Sequence, residues 1–340
     1  MRVTRESLLR LAHQIAQERA YTQSDIVAIY LIGSLRHADP FLGGSTDVDL
    51  VIVHETRPGI GREFAPLPAA VHLDILHRGQ QDYPSPRQMR LHPLLGHELY
   101  DALLLYERRP FFEFLQAGVR AGSEFTAPMT ICQRSFQLLA ESRRGWFQLS
   151  QSASWGVRES DLWLEILAKT AGSLMELDGA PLTERRFLHD FSTRLANLGM
   201  QELFPAFLEL LGNFSEVLEE TSRWLSFWES DFQAAAQTGR RSEIHPARLV
   251  YYQQGIRHYL EGERPIFALW PLMRTWTWAA LALPEDQRGH WAEWMRRLGW
   301  NDQRQSLLDA LDRYLDRVQE VLEAYATEHG VNLDTLPSLL

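Results

Sequence analysis

VAIYLIGSLRHADPFLGGSTDVDLVIVH, residues 27–54, places two apolar runs on either side of a polar centre. The first run ends on Gly33-Ser34, and the second begins on Asp47-Val48-Asp49, thirteen residues after the serine. Short runs this rich in Ile, Val and Leu, bounded by Gly, Ser and Asp, read as buried strands. A strand that ends in Gly-Ser at a helix start offers backbone N–H groups and a hydroxyl to a phosphate, because glycine permits close approach and a helix N-terminus favours negative charge. Gly33 and Ser34 are therefore candidate phosphate-holding residues. Residues i and i+2 of a strand share a face, so Asp47 and Asp49 direct both carboxylates to one side. Paired carboxylates beside a phosphate site suit Mg²⁺, which takes oxygen ligands and completes its octahedron with phosphate oxygens and water. Asp74 extends the set: it lies within the apolar run AVHLDIL (70–76), where an unpaired carboxylate is costly unless a metal or a partner neutralises it.

Outward from this stretch, strand-like and helical segments alternate as far as residue 125. A helix over 4–19 precedes the strand IVAIYLI, and further strands are expected at 48–53, 70–76 and 101–106. The Pro- and Gly-rich RPGIGREFAPLP (57–68) reads as a loop. After AGSEFTAP (121–128) the pattern becomes helical, with helices predicted at 129–151, 160–178, 183–198, 200–211, 214–238, 246–261, 265–282, 287–298 and 302–328. The expected fold class is α+β: an N-terminal α/β domain with a mixed sheet, residues 1–125, followed by an all-helical bundle, residues 126–340.

Composition narrows the function. No run approaches membrane-spanning length, and the N-terminus mixes charge with apolar residues rather than forming a signal-peptide core, so a cytoplasmic protein with no membrane partner is expected. Cys132 is the single cysteine, which excludes an internal disulfide framework and a Cys-x-x-Cys zinc site. Residues 1–125 carry 13 basic and 15 acidic side chains, whereas 126–340 carry 21 and 29, so most of the negative charge lies in the helical part. That is the opposite of a nucleic-acid groove and favours cationic small molecules. Eight of the eleven tryptophans fall between 224 and 300, where they form either a stacking wall or, as is commoner at helical spacing, core.

GS, then TDVDL, then HLDIL resembles the signature of the DNA polymerase beta type nucleotidyltransferases, and within them the kanamycin (aminoglycoside) nucleotidyltransferase group. TRESLLRLAHQI, HPLLGHELYDALLLYERRPFFEFLQA and VQEVLEAYATEHGVNLD are also similar to that group, while 212–300 departs from it with extra helices. The resemblance implies transfer of a nucleoside monophosphate from an NTP to an acceptor, with two Mg²⁺ ions on Asp47, Asp49 and Asp74. It also implies nucleotide contacts from Gly33, Ser34 and Arg36, and an acceptor-binding role for the helical domain.

That group places a catalytic glutamate in the helical domain, four residues before a phosphate-binding lysine. The matching stretch is ESRRGW, which makes Glu141 the candidate base and leaves Gly145 where the lysine would stand. Arg143, Arg144 or Lys169, the single lysine, then supplies the missing charge, because arginine holds phosphate at least as well as lysine does. Asp74 and Glu141 are rivals for the role of base. The expected partners are an NTP and a small, cationic hydroxylated acceptor bound between the domains, with no nucleic acid; a homodimer is compatible with the sequence. Competing readings are a protein-AMPylating enzyme of the antitoxin type and a non-catalytic nucleotide-binding module.

Overall fold

The computed structural model describes residues 3–121, 123–300 and 302–335. The chain forms two compact units: residues 1–126 with 253–255, and residues 127–252 with 256–340.

In the first unit, helix α1 (Arg5–Thr22) leads into strand β1 (Ile26–Ile32), followed by β2 (Thr46–His54), β3 (Arg62–Leu67) and β4 (Val71–Gly79). Short helices α2 (Pro86–Leu91) and α3 (Leu95–Asp101), strand β5 (Leu103–Glu107) and helix α4 (Phe112–Val119) complete it. The five strands form one mixed sheet in the order β3-β4-β2-β1-β5, with β2 and β4 parallel and the other pairs antiparallel. Thr4 caps α1 by accepting a hydrogen bond from the Ser7 N–H, which satisfies one of the amides left open at a helix start.

Strand parity places the acids. Val48, Leu50 and Ile52 of β2 pack with Leu8, Ala12 and Ala16 of α1 on one face of the sheet. Val51 and Val53 point the other way, into a core with Tyr30, Met89, Leu99 and Phe112. Each buried Leu or Ile contributes about 1.5–3 kcal/mol relative to exposure. A one-residue slip of β2 would exchange Val48 and Leu50 for Asp47 and Asp49 against α1, so the register that aims the carboxylates is strongly fixed.

β3 lies within the segment expected to be a loop. As an edge strand it tolerates Pro66, whose missing N–H is not needed on the open side, and its residues are only half-buried, so it lacks the alternation that marks a strand in sequence.

The second unit is helical throughout: α5 (Pro128–Ser150), α6 (Val157–Met175), α7 (Phe187–Asn197), α8 (Leu203–Glu209), α9 (Ser215–Glu219), α10 (Thr221–Gln237), α11 (Leu249–Leu260), α12 (Leu269–Ala282), α13 (Gly289–Arg297) and α14 (Arg304–Glu328). The α+β class expected from the sequence is the one observed. The tryptophans resolve to core: Trp224, Trp228, Trp270, Trp276, Trp294 and Trp300 are all fully buried, with Trp276 and Trp294 stacked at 5.0 Å.

Candidate functional site

Gly33 sits at φ +76°, ψ −160°, a conformation essentially restricted to glycine. It also lacks room for a side chain, since a Cβ there would lie 2.0 Å from Asp49 Oδ2. The Asp49 carboxylate thus occupies the space that only a glycine leaves beside the backbone. Ser34 Oγ lies 3.3 Å from Asp47 Oδ1 and 3.0 Å from Thr46 Oγ1, which ties the turn to the head of β2. Both acids predicted on β2 therefore meet the Gly-Ser turn.

The turn is not the start of an α-helix. Ser34–Arg36 form a single 3₁₀ turn, because Pro40 disfavours a helical Asp39 and leaves too little chain for a helix. The expected helix dipole is absent, and close backbone approach is what the turn offers. Arg5 of α1, which the sequence did not mark, holds this turn by donating from Nε to the Leu35 carbonyl at 2.9 Å and from Nη2 to the Arg36 carbonyl at 3.4 Å. Arg36 in turn donates from Nε to the Asp101 carbonyl at 2.6 Å, which fixes its guanidinium against the end of α3.

Asp74 pairs in register with Asp49 across the parallel β2–β4 ladder, so the two side chains share a face. Asp74 is buried, and both of its oxygens accept from Arg62 of β3: Nε to Oδ1 at 2.8 Å and Nη2 to Oδ2 at 2.7 Å. Among the described residues no three His, Cys, Asp or Glu side chains are arranged to hold a metal ion. The donor set of Asp47 and Asp49 still fits Mg²⁺, which is commonly held by one or two carboxylates with substrate phosphates and water supplying the rest. Arg62 lies on β3, whose Pro- and Gly-rich sequence has the local chemistry of a loop, so the sequence alone gives no sign of this pairing.

On the same sheet face a second network forms below the acids. Arg78 donates to Glu98 Oε1 and Oε2 at 2.5 and 2.9 Å, and the Tyr30 hydroxyl donates to Glu98 at 2.7 Å while meeting Tyr83 Oη at 2.8 Å. Burial pushes the Tyr83 hydroxyl up to about 12 and the Tyr30 hydroxyl well above its ordinary value, so both remain protonated donors at any physiological pH. These groups brace the floor of the sheet.

In the second unit Glu141, Arg144 and Lys169 line one cavity of about 460 Å³, with Gln148, Glu165 and Ile166. Lys169 Nζ of α6 lies 3.1 Å from Glu141 Oε2 of α5 and 2.8 Å from Glu165 Oε1. Partial burial alone would lower the lysine's affinity for its proton; the hydrogen bonds and charges of the two glutamates more than reverse this and hold it above the ordinary value. Gln137 donates to the other Glu141 oxygen at 3.2 Å. Arg143 is directed elsewhere, to Asp316 and Gln319 at 2.8 and 2.9 Å. Gly145 has a packing reason: a Cβ would come within 2.7 Å of Ile166 Cγ1, so the close approach of α5 and α6 requires glycine there. Lys169 brings an ammonium to Glu141 from the facing helix.

No protein-family model matches the sequence, and comparison with curated proteins gives no match. Among solved structures the chain is similar to a nucleotidyltransferase-like protein from Exiguobacterium sibiricum, at 13% identity and a TM-score of 0.32, covering 93% of this chain and 91% of that one. At that TM-score the likeness carries no weight for the chemistry, and nothing in it singles out the kanamycin group. Among the described residues no helix is long and apolar enough to cross a membrane.

Proposed function

We propose that this protein is a nucleotidyltransferase that moves a nucleoside monophosphate from an NTP to a hydroxyl of a small acceptor. The observation that carries the reading is the fit of the Asp49 carboxylate into the space left by Gly33, with Asp47 beside Ser34. Glycine adopts this conformation without strain, and its missing side chain lets the Asp49 carboxylate lie against an exposed backbone, an arrangement suited to a phosphate and its metal. Asp47 and Asp49 would hold Mg²⁺, which, when bound, neutralises charge on the phosphates. The exposed Gly33 backbone and the Ser34 hydroxyl would receive phosphate oxygens, with Arg36 adding positive charge.

The reaction is an in-line displacement. The acceptor oxygen bonds to the α-phosphorus, the bond from that phosphorus to the bridging oxygen breaks, and pyrophosphate leaves with the electron pair. Glu141 takes the acceptor's proton, and Lys169 and Arg144 supply charge for phosphate or product in the helical unit. Glu141 is favoured over Asp74 as base because its side chain is 28% exposed, against 4% for Asp74, whose two oxygens Arg62 holds. A cationic, aminoglycoside-like acceptor is the finer reading, motivated by the acidic excess of residues 126–340.

The test is incubation of purified protein with each of the four labelled NTPs, Mg²⁺ and a panel of amino sugars, neutral sugars and nucleosides. A mass gain of one nucleoside monophosphate on an amino sugar, falling as ionic strength rises, is the expected result. Transfer to neutral compounds alone would remove the charge argument. Nucleotide binding without transfer to any small molecule would favour the non-catalytic module, a reading that the closed Asp74 supports.

A further inference from the structure

We propose that His54 and His77 form a pH-sensitive clasp at the end of the sheet remote from the acids, a pair that accepts one added proton and gives way to a second. His54 closes β2, about 23 Å along the strand from Asp47, so the pair lies outside the site described above. Strand parity puts both imidazoles on the face that α1 covers, next to Ile52 and Ile75, and each side chain is only 7% exposed. Four groups run in a line. Asp25 Oδ2, in the connection between α1 and β1, lies 2.8 Å from His54 Nδ1. His54 Nε2 lies 2.9 Å from His77 Nδ1, and His77 Nε2 lies 3.6 Å from Glu63 Oε2 of β3. The other charged groups here are Arg19 of α1, which pairs with Glu63, and Glu55, next along the chain from His54 and paired with Arg108.

The line has three gaps, its two carboxylates only accept, and each neutral imidazole carries one N–H. Two neutral rings therefore fill two gaps. The two short gaps are the filled ones, so His54 and His77 both carry hydrogen on Nδ1. The His77 Nε2 lone pair is left facing Glu63 at more than hydrogen-bond distance, and that buried atom has no hydrogen-bond partner among the described residues. One added proton on His77 Nε2 occupies the third gap. A second has only the gap between the rings to enter, where two N–H groups would meet head-on at 2.9 Å, so a buried ring must leave its place. Desolvation, and after it the charge of His54, holds the His77 imidazole below its ordinary value and outweighs the pull of Glu63. An unfolded chain takes both protons freely. Stability from the clasp is therefore intact above the unfolded value of about 6.5 and is lost as pH falls below it.

The experiment follows the full chain, labelled with ¹⁵N in its histidine rings, from about pH 8 down to about pH 5, where carboxylates stay largely ionised. Long-range ¹H–¹⁵N spectra report which ring nitrogen carries hydrogen, with His54→Gln and His77→Gln used for assignment, and amide exchange in β2 and β4 reports opening of the sheet. In the wild type both rings should carry hydrogen on Nδ1 at the upper pH, and the pair should take up one proton on acidification. The opening equilibrium of β2 and β4 should then rise about tenfold per pH unit below about pH 6, the limit for one proton bound on opening. In His77→Gln this dependence should vanish, because His54 then has no second imidazole to exclude its proton. If that variant loses its sheet, the ring spectra of the wild type still decide. A full proton taken up by each ring with amide protection unchanged would overturn the proposal, as would hydrogen on His54 Nε2 at the upper pH. A His77→Gln protein that keeps the wild-type pH dependence would also overturn it, by assigning that dependence to Asp25 and Glu63.

Discussion

Gly33→Ala perturbs the backbone and the site at once, and the two effects can be separated. At φ +76°, ψ −160° an alanine costs about 1–3 kcal/mol in backbone strain. Its Cβ would also stand 2.0 Å from Asp49 Oδ2, and all three of its nearest atoms belong to Asp49. Contacts below 3.0 Å are not tolerated, so the carboxylate must retreat by about 1 Å. Displacement of a positioned group by that amount costs on the order of 10²-fold in rate. All eleven tryptophans lie at residue 146 or later, so indole fluorescence reports only the helical unit, and the first unit must be followed by amide exchange in β1 and β2. The expected result is a loss of about 1–3 kcal/mol of protection there, together with loss of metal-dependent nucleotide binding. In Gly33→Ala/Asp49→Ala the collision is gone and only the backbone strain remains, so the double variant should be less destabilised than the sum of the singles by about 1 kcal/mol. Wild-type nucleotide affinity in Gly33→Ala, or strict additivity in the double variant, would refute the role given to the Gly33–Asp49 contact.

Three further outcomes follow from the helical unit. Glu141→Gln should lower transfer by roughly 10²–10⁴ with nucleotide affinity unchanged, as measured by single-turnover kinetics; turnover within a factor of two of wild type would remove Glu141 as the base. Because the Lys169 proton is held above the ordinary value of 10.5, the stability its ion pairs supply is fully present below that pH and is lost as pH rises through the higher folded value. Urea midpoints of wild type and Lys169→Met should accordingly differ by a constant amount from pH 7 to about 10 and converge above it, whereas convergence near neutrality would contradict the ion-pair geometry. Glu176→Ala removes the carboxylate that meets Arg134 at 2.6 Å, with both side chains buried, and should cost about 3–5 kcal/mol by indole fluorescence in urea.

The strands that carry the paired acids were legible because burial on both faces leaves an unbroken apolar run: β1 was read at its observed bounds, and β2 and β4 within a few residues. β3 was not, since an edge strand with Pro66 inside it and Gly59 and Gly61 just before it carries the local chemistry of a loop, and only pairing with β4 makes it a strand. Arg62 went unseen for the same reason, and with it the closure of Asp74. The helix expected after Ser34 failed on a cue that was present, the Asp39-Pro40 pair. Gly145 could be recognised as a departure from a pattern, but its cause, the packing of α5 against Ile166, is a tertiary contact that spacing along the chain does not encode.

Lys169 is the sole ε-amine in the chain, and it is wedged between two carboxylates that keep it protonated. Amine-directed acylating reagents need the neutral amine, so besides the α-amino group the protein offers them one target, and that target is shielded at neutral pH. Labelling of this single side chain is therefore a chemical footprint of its cavity. Release of Glu141 or Glu165 by a bound ligand or a substitution should register as a rise in acylation at one peptide, with no background from other lysines.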